Sequence, residues 1–222
     1  RWMLSRLART LGEVEKWIRH YDFRVYAQQM YDLFWRDFCD WYLEGAKPTV
    51  REDATQQRVL RSALGAIHRM FHPIMPFVTE SLHAAIESLP VQPLEEIELP
   101  PSDLAATARW PIMPDLYIDE EAEQRFARVQ ELIYAIREVR SLQKVHDRRQ
   151  ITLHVADEAT MELIQAAQGV IESLAGLGKV TREMPAGEGV TFLFGNVEHQ
   201  LADLTDAIDV AAERDRLARQ KA

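Results

Sequence analysis

The chain has 222 residues, of which 47% are hydrophobic and 27% charged, and its formal net charge is −9. This composition allows a substantial buried core and excludes a wholly disordered protein. Its apolar runs are only a few residues long, far short of the roughly 20 that cross a bilayer. A lone Cys39 cannot form an internal disulfide, so we expect a cytoplasmic protein without a membrane or secretion segment.

The basic residues are concentrated in the first third of the chain. Residues 1–70 contain 12 Lys and Arg against 9 Asp and Glu, whereas residues 151–222 contain 6 against 12. Phosphate groups are bound by Lys and Arg. A nucleic-acid contact is therefore expected in the first third and not in the acidic second half.

Apolar residues at spacings of three and four predict a series of helices. The predicted spans are residues 1–19, about 23–44, a third helix ending at Phe71, a fourth after Pro76 and a fifth from Phe126 to about Val145. The second is expected to end before Gly45, which caps a helix, and Pro48, which blocks one. Short connections predict antiparallel neighbours.

Two further features concern the ends of these helices. The proline-rich segment from Pro90 to about Asp119 predicts a long loop that must be held by Trp110 or Leu116. The first helix is already in pattern at residue 1, with neither Met nor a capping residue, so we expect the chain to be a piece of a longer protein.

The pattern changes after Arg149. Residues 151–155 alternate as a strand, residues 158–175 have helical spacing, and strands are expected over 179–182 and 189–202. Gly195 and Asn196 have the character of a two-residue hairpin loop. The predicted fold is mainly α.

The predicted organisation has three parts. They are an antiparallel helical bundle over residues 1–149, a small mixed α/β subdomain over 150–208, and over 209–222 the start of a truncated helix leading toward a coiled coil.

No pattern of catalytic residues stands out. His68 and His72 are four apart, the spacing of a metal-binding pair, but lack the glutamate of a His-Glu-x-x-His site. No Gly-rich phosphate loop or nucleophile elbow occurs in the sequence. We therefore expect neither catalysis nor a bound metal or cofactor in this chain.

The predicted bundle gathers a set of basic and aromatic residues at one end. If the first two helices are antiparallel, the start of the first meets the end of the second and the start of the third. We call this set the rim: Arg1, Trp2, Arg6, Tyr42, Leu43, Lys47 and Arg51. Cations for phosphates and flat side chains for splayed bases are typical of single-stranded RNA recognition. The alternative interpretation is that this basic cluster is only a solvent-exposed surface at the helix ends and binds no RNA.

The residue order DFCDWYLE from Asp37 to Glu44 resembles the anticodon-binding domain of class I valyl-tRNA synthetases. The turn from His72 to Phe77 and the helix around Ile136 to Arg140 are similar to the same family. Two segments depart from its pattern: Ser81 to His83 lacks an aromatic residue, and Lys144 to Arg149 replaces a short apolar turn with proline.

The resemblance implies a domain that holds the anticodon stem-loop of valine tRNA while other domains ligate valine to the tRNA with ATP. The ATP-handling sequences of the family, His-Ile-Gly-His and Lys-Met-Ser-Lys-Ser, are not in this chain. Within the rim we expect phosphate contacts at Arg6, Lys47 and Arg51 and a base contact near Trp2, Tyr42 and Leu43. We expect a monomer that binds tRNA and no DNA.

Other interpretations remain open at this point. The same domain occurs in isoleucyl-tRNA synthetases, which share the bundle and the His-Pro turn more loosely. A helical scaffold that binds protein through the rim and the acidic half is a different class of answer. A self-contained hydrolase or metalloenzyme has no matching set of residues.

Overall fold

The computed structural model describes residues 1–146, 148–183 and 189–204. The chain divides into two compact units, residues 1–126 and 127–222. The first is helical and the second mixed α/β, which confirms a helical domain followed by a small α/β part. The division falls at Phe126, whereas the sequence pattern places it after Arg149. The helix expected from residue 209 lies outside the described residues.

Helices account for most of the first unit, and the last of them continues into the second. They are α1 (Trp2–Arg19), α2 (Phe23–Tyr31), a π-helical segment (Asp32–Leu43), α3 (Glu44–Ala46), α4 (Ala54–Phe71), α5 (Pro76–Glu87) and α6 (Glu120–Leu142). The side chains of Asp22 and Asp53 accept hydrogen bonds from backbone N–H groups in the first turns of α2 and α4. Such caps satisfy donors that a helix start leaves without intrahelical partners.

The second predicted helix is one continuous helical stretch whose middle is π-helical. The expectation that it ends before Gly45 is wrong, because Gly45 lies inside α3 and the helix continues to Ala46. Its apolar stripe, including Leu33, Phe38 and Trp41, is buried. The wider turns of a π-helix are rare in proteins, and where they occur they often lie at functional sites.

The core of the first unit lies between α1, α2, the π-helical segment and α4. Leu7, Val14, Met30 and Ile67 are completely or almost completely buried there. The buried Tyr26 hydroxyl donates to the Met70 carbonyl, which joins the start of α2 to the end of α4. Each fully buried aliphatic side chain contributes about 1.5–3 kcal/mol.

The predicted long loop between α5 and α6 is present. Trp110 is half-buried and packs against the core, while Leu116 is exposed, so Trp110 is the residue that holds the loop. Glu98 and Ile112 form an isolated antiparallel bridge within it. The fifth helix begins six residues before the predicted Phe126, at an acidic first turn that lacks an apolar stripe.

The second unit contains a four-stranded sheet in the order β2-β1-β4-β3. The elements after α6 are β1 (Ile151–His154), α7 (Glu158–Ala166), α8 (Gln168–Ala175), β2 (Leu177–Thr181), β3 (Val190–Phe194) and β4 (Val197–Ala202). The helices α7 and α8 connect β1 to the parallel β2. The single helix expected over 158–175 is therefore two, separated at Ala167.

The predicted hairpin around Gly195 is confirmed. Phe194 pairs with Val197, and Gly195 has φ +61, a left-handed conformation that glycine adopts without steric cost. Leu153 pairs with both Val180 and Leu201, which forms an apolar row across the sheet in which Leu153 and Leu201 are buried and Val180 is half-buried.

Two other features of the described residues bear on function. None of their helices is both long enough and apolar enough to traverse a bilayer. The His68 ring bonds to the Thr79 carbonyl and the His72 ring to the Thr79 hydroxyl, at 2.7 and 2.8 Å. These contacts join α4 to α5.

Candidate nucleic-acid interface

The start of α1 meets the end of the π-helical segment through an aromatic cluster. The Trp2 ring stacks on Phe126 with centroids 4.0 Å apart, and Trp41 approaches the same Phe126 ring edge-on at 6.0 Å. Trp41 is buried, whereas Trp2 is half-buried and keeps part of its indole accessible. The predicted proximity of Trp2 to the end of the second helix is therefore present.

Cations at the start of α1 are bound to carboxylates of the same unit. Arg6 Nε lies 2.8 Å from Asp37 Oδ2, and Arg6 Nη1 lies 3.6 Å from Glu123 Oε2. Arg1 pairs with Asp119 at 3.4 Å. Burial acts to lower the pKa of Arg6, but the hydrogen bond and charge of Asp37 outweigh it and raise the pKa. Arg6 is thus strongly held in its charged form by protein groups.

The remaining rim residues lie at the end of the second helix and in the turn before α4. The half-buried Tyr42 lies 6.1 Å from the Phe38 ring, and its hydroxyl donates to the Gln56 carbonyl at 3.5 Å. Leu43 is also half-buried. Lys47 is exposed and pairs with Glu44 three residues earlier. Surface pairs of this kind stabilise by only about 0–1 kcal/mol, so Lys47 can exchange its partner for a phosphate.

Arg51 differs from the other arginines of the rim. Its side chain is exposed, just before the N-cap of α4. In the described part of the chain, no ion pair involves Arg51. The accessible cations of the rim are therefore Arg51, Lys47 and Arg1, of which Lys47 and Arg1 are paired with carboxylates at the surface.

Sequence reasoning missed the acidic residues that bind the basic ones. Asp37, Asp119 and Glu123 are distant in sequence from their arginine partners, so periodicity could not pair them. The acidic first turn of α6 was the available signal, since it contributes Glu123.

An exposed aromatic pair was also missed. Tyr31 and Trp35 lie on the outer surface of the second helix, about half exposed, with ring centroids 6.4 Å apart. Their four-residue separation places them on one helical face.

Residues 1–157 match the family model described as the anticodon-binding domain of tRNA ligase. The chain belongs to this family. All seven rim residues lie within the matched range, and the resemblance noted from the DFCDWYLE block is confirmed at the level of the family.

Curated proteins similar to this member of the anticodon-binding domain family include valine–tRNA ligases. That of Thermotoga maritima is 30% identical over 98% of this chain, that of Rhodopirellula baltica 32% over 98%, and that of Mycobacterium leprae 31% over 100%. The alignments cover 24%, 22% and 24% of those proteins. The chain therefore spans about a quarter of the length of the curated relatives that it matches.

Tyr42 makes the stability of this anticodon-binding domain sensitive to alkali. Burial, with a smaller effect of Asp53, raises the pKa of Tyr42 to about 12, whereas an unfolded tyrosine has a pKa of about 10. The folded chain holds the proton more tightly, so this stabilisation is complete below about pH 10 and is lost toward about pH 12.

Urea unfolding between about pH 9 and about pH 11 measures this decline. The Tyr42→Phe variant should show a shallower decline than the unmodified chain, because phenylalanine cannot ionise. Burial also raises the pKa of Tyr26, and Tyr26 contributes equally in both proteins. Identical declines would contradict the expectation.

Proposed function

We propose that the chain recognises the anticodon stem-loop of valine tRNA as part of a valyl-tRNA synthetase. The observation that carries this proposal is the family match over residues 1–157, supported by valine–tRNA ligases as relatives. Ligation of valine with ATP would take place in other domains of the longer enzyme. The chain itself would act as a cytoplasmic monomer without a cofactor.

The proposed bundle is antiparallel. In support, Glu13 near the end of α1 accepts a hydrogen bond from Gln29 early in the second helix. Arg6 at the start of α1 pairs with Asp37 farther along that helix. In this arrangement the start of α1, the π-helical segment and the start of α4 share one end of the bundle.

Two kinds of contact with RNA are expected within the rim: cations would bind phosphates, and half-buried side chains would contact bases. Lys47 and Arg51 would bind phosphates, because both are exposed and neither is held by a buried carboxylate. Tyr42 and Leu43, both half-buried, would offer a firmly placed surface to a base, and Trp2 would offer its accessible indole edge. Aromatic faces that stack on unpaired bases contribute about 1–3 kcal/mol per base.

Binding to synthetic RNA at low salt tests this function. A labelled anticodon stem-loop of valine tRNA is compared with the same loop carrying a scrambled anticodon and with the anticodon stem-loop of isoleucine tRNA. Preference for the valine loop is the expected result. Equal binding or no binding would contradict autonomous anticodon recognition, and preference for an isoleucine-tRNA loop would support the isoleucyl alternative.

Charge reversal at the accessible cations should weaken this binding. For Arg51→Glu we expect about tenfold lower affinity for the valine stem-loop and a salt dependence shallower by about one unit of slope. Lys47→Glu should act in the same direction. Both side chains are exposed, so thermal stability should be preserved. Fluorescence anisotropy across a salt series measures both quantities.

Arg24→Glu is the matched control for this prediction. Arg24 is an exposed arginine near the start of α2, away from the rim. The Arg24→Glu substitution changes the net charge by the same amount as Arg51→Glu. An equal loss of affinity in the two variants would therefore mean that only the overall charge of the protein affects binding. Unchanged affinity in Arg51→Glu would remove the rim from the proposal.

A helical scaffold that binds protein is the second candidate, and the exposed Tyr31 and Trp35 favour it. Aromatic residues are enriched in protein interfaces. Competition separates the two functions: a protein ligand bound at the rim would be displaced by the valine stem-loop, whereas one bound at the aromatic pair would remain.

A further inference from the structure

Two buried histidines lie ring against ring between α4 and α5. The His68 ring on α4 and the His83 ring on α5 are nearly parallel, with centroids 5.4 Å apart and planes 17° apart. His68 is 5% exposed and His83 is 1% exposed. His83 belongs to the segment from Ser81 to His83, in which this chain departs from the pattern that its family resemblance would predict. The contact between the two rings therefore depends on a residue that is particular to this chain.

The hydrogen bonds of the two rings determine where their protons lie. His68 Nε2 is 2.7 Å from the Thr79 carbonyl oxygen, and His83 Nε2 is 2.8 Å from the Ser102 carbonyl oxygen. A carbonyl oxygen only accepts, so each Nε2 must carry a hydrogen and donate it. Both Nδ1 atoms are buried and have no hydrogen-bond partner among the described residues. This arrangement is that of two neutral rings, each with a bare lone pair on Nδ1.

The two rings connect three parts of the first unit. His68 on α4 bonds to Thr79 in the first turn of α5, and His83 on α5 bonds to Ser102 in the loop that follows. The helix α5 also covers the His68 ring, because Thr79 and His83 both belong to it. We therefore expect that α5 must move before water can reach His68.

The charged groups closest to His68 already sum to one positive charge. Arg61 and Arg69 of α4 are almost entirely buried, and Glu87 of α5 pairs with both, at 3.6 and 3.1 Å. Burial lowers the pKa of His68, and the charge of Arg69 acts in the same direction. The bond to the Thr79 carbonyl and the charge of Glu87 oppose this effect without cancelling it. A second positive charge at this place would be buried without a carboxylate of its own.

The other titratable groups of the neighbouring elements are bound elsewhere or lie in solvent. Glu80 of α5 accepts hydrogen bonds from two backbone N–H groups of the loop, at 3.2 and 3.1 Å. The His72 ring, after the end of α4, bonds to a hydroxyl of α5 at 2.8 Å. In the loop, Glu98, Asp103 and Arg109 are exposed. Among the described residues, none of these groups bonds to His68 Nδ1.

We propose that His68 is a pH switch: proton uptake at its bare Nδ1 releases α5 and the loop at Ser102 from α4. A metal ion fits the two rings less well than a proton, because the described residues contain no group of three His, Cys, Asp or Glu side chains that could hold one. The charged ring would be solvated only after α5 has moved. The inference concerns the closure of this helix and does not depend on RNA binding.

Lowering the pH should therefore favour the open form of α5. With α5 open, water reaches His68, and its pKa returns toward about 6.5, the value of an unperturbed histidine. The closed form has the lower pKa, so its stabilisation is complete above about pH 7 and is lost progressively as the pH falls below about 6.5. For one proton, the opening equilibrium constant should be about tenfold larger at about pH 5.5 than at about pH 7.

Amide hydrogen exchange followed by mass spectrometry measures this constant in the 222-residue chain. Protection factors, which correct for the intrinsic pH dependence of exchange, are compared at about pH 7 and about pH 5.5. The protection of α5 should fall about tenfold and should stay below that of α1 at both values. Equal protection of α5 and α1 at the lower pH would mean that the whole unit unfolds, and would overturn the proposal.

His68→Gln is the decisive variant. Glutamine keeps an N–H donor for the Thr79 carbonyl but cannot take up a proton, so the protection of α5 should change by less than about twofold over the same pH range. His72→Gln is the matched control, because His72 also bonds to Thr79, through the hydroxyl. This control should keep the fall of about tenfold. A fall that persists in His68→Gln, or that disappears in His72→Gln, would overturn the proposal.

Nitrogen NMR of the imidazole rings gives a second test that needs no substitution. In the unmodified chain at about pH 6.5, where an ordinary histidine is half protonated, His68 should have a protonated Nε2 and a mainly bare Nδ1. This measurement decides the matter if His68→Gln does not fold. A His68 Nδ1 that is at least half protonated at this pH would overturn the proposal.

Discussion

Replacing Glu87 with glutamine should lower the free energy of unfolding of the first unit by about 3 kcal/mol. Glu87 is the carboxylate between Arg61 and Arg69, whose side chains are only 8% and 3% exposed. Burial lowers the pKa of Arg61, and the negative charge of Glu87 opposes this effect. Without that charge, two buried guanidinium groups would have lost their shared counter-ion, and Arg69 would keep only its hydrogen bonds to the Arg109 and Pro100 carbonyls. The loss is therefore large.

Equilibrium denaturation in urea measures this loss, and Glu95→Gln is the control. Glu95 lies 3.9 Å from Arg58 and is almost fully exposed, so its replacement should cost less than about 0.5 kcal/mol. Adding Arg61→Met to Glu87→Gln should recover part of the stability by removing one uncompensated charge. A loss no larger for Glu87→Gln than for Glu95→Gln would contradict the expectation.

The sequence was sufficient for elements with a clear apolar period. The span of α1, the end of α4 and the strand β1 follow directly from spacings of three and four or of two. The π-helical segment could not be predicted this way, since its wider turns bury the same aromatic stripe that an α-helix would bury. The start of α6 was missed because its first turn is acidic and carries no apolar stripe.

The RNA-binding role of the rim residues stays a prediction, and the carboxylate partners of its arginines were not predictable from the sequence. Helix order alone placed Trp2 beside the end of the second helix, as the shared contact with Phe126 now shows. The pairing of Arg6 with Asp37, 31 residues apart, depends on helix rotation, which no sequence period determines to within a hydrogen-bond length. The same limit hid the internal partners of Glu80 and Glu87 in α5, two glutamates that a sequence pattern assigns to solvent.

Arg6→Met should lower stability by about 2 kcal/mol without changing the salt dependence of RNA binding. The Asp37 side chain is only 6% exposed, and Arg6 Nε at 2.8 Å is the nearer of its two cationic partners. Removing Arg6 would leave a buried carboxylate with the more distant Arg36, at 3.6 Å. The loss is smaller than that for Glu87 because Arg36 remains and because Arg6 itself reaches solvent.

Arg36→Met is the matched control, because Arg36 contacts the same carboxylate but is 57% exposed. It should cost less than about 1 kcal/mol. Urea denaturation gives the stabilities, and a salt series with the valine stem-loop gives the slope of binding. If Arg6 positions the rim, stability falls and the slope stays constant. If Arg6 instead binds a phosphate, as its place in the predicted rim suggested, the slope decreases by about one unit, as expected for Arg51→Glu. We therefore expect Arg6→Met to change stability but not the salt slope, and Arg51→Glu to change the salt slope but not stability. Comparing the two variants distinguishes the arginine that stabilises the rim from the arginine that contacts RNA.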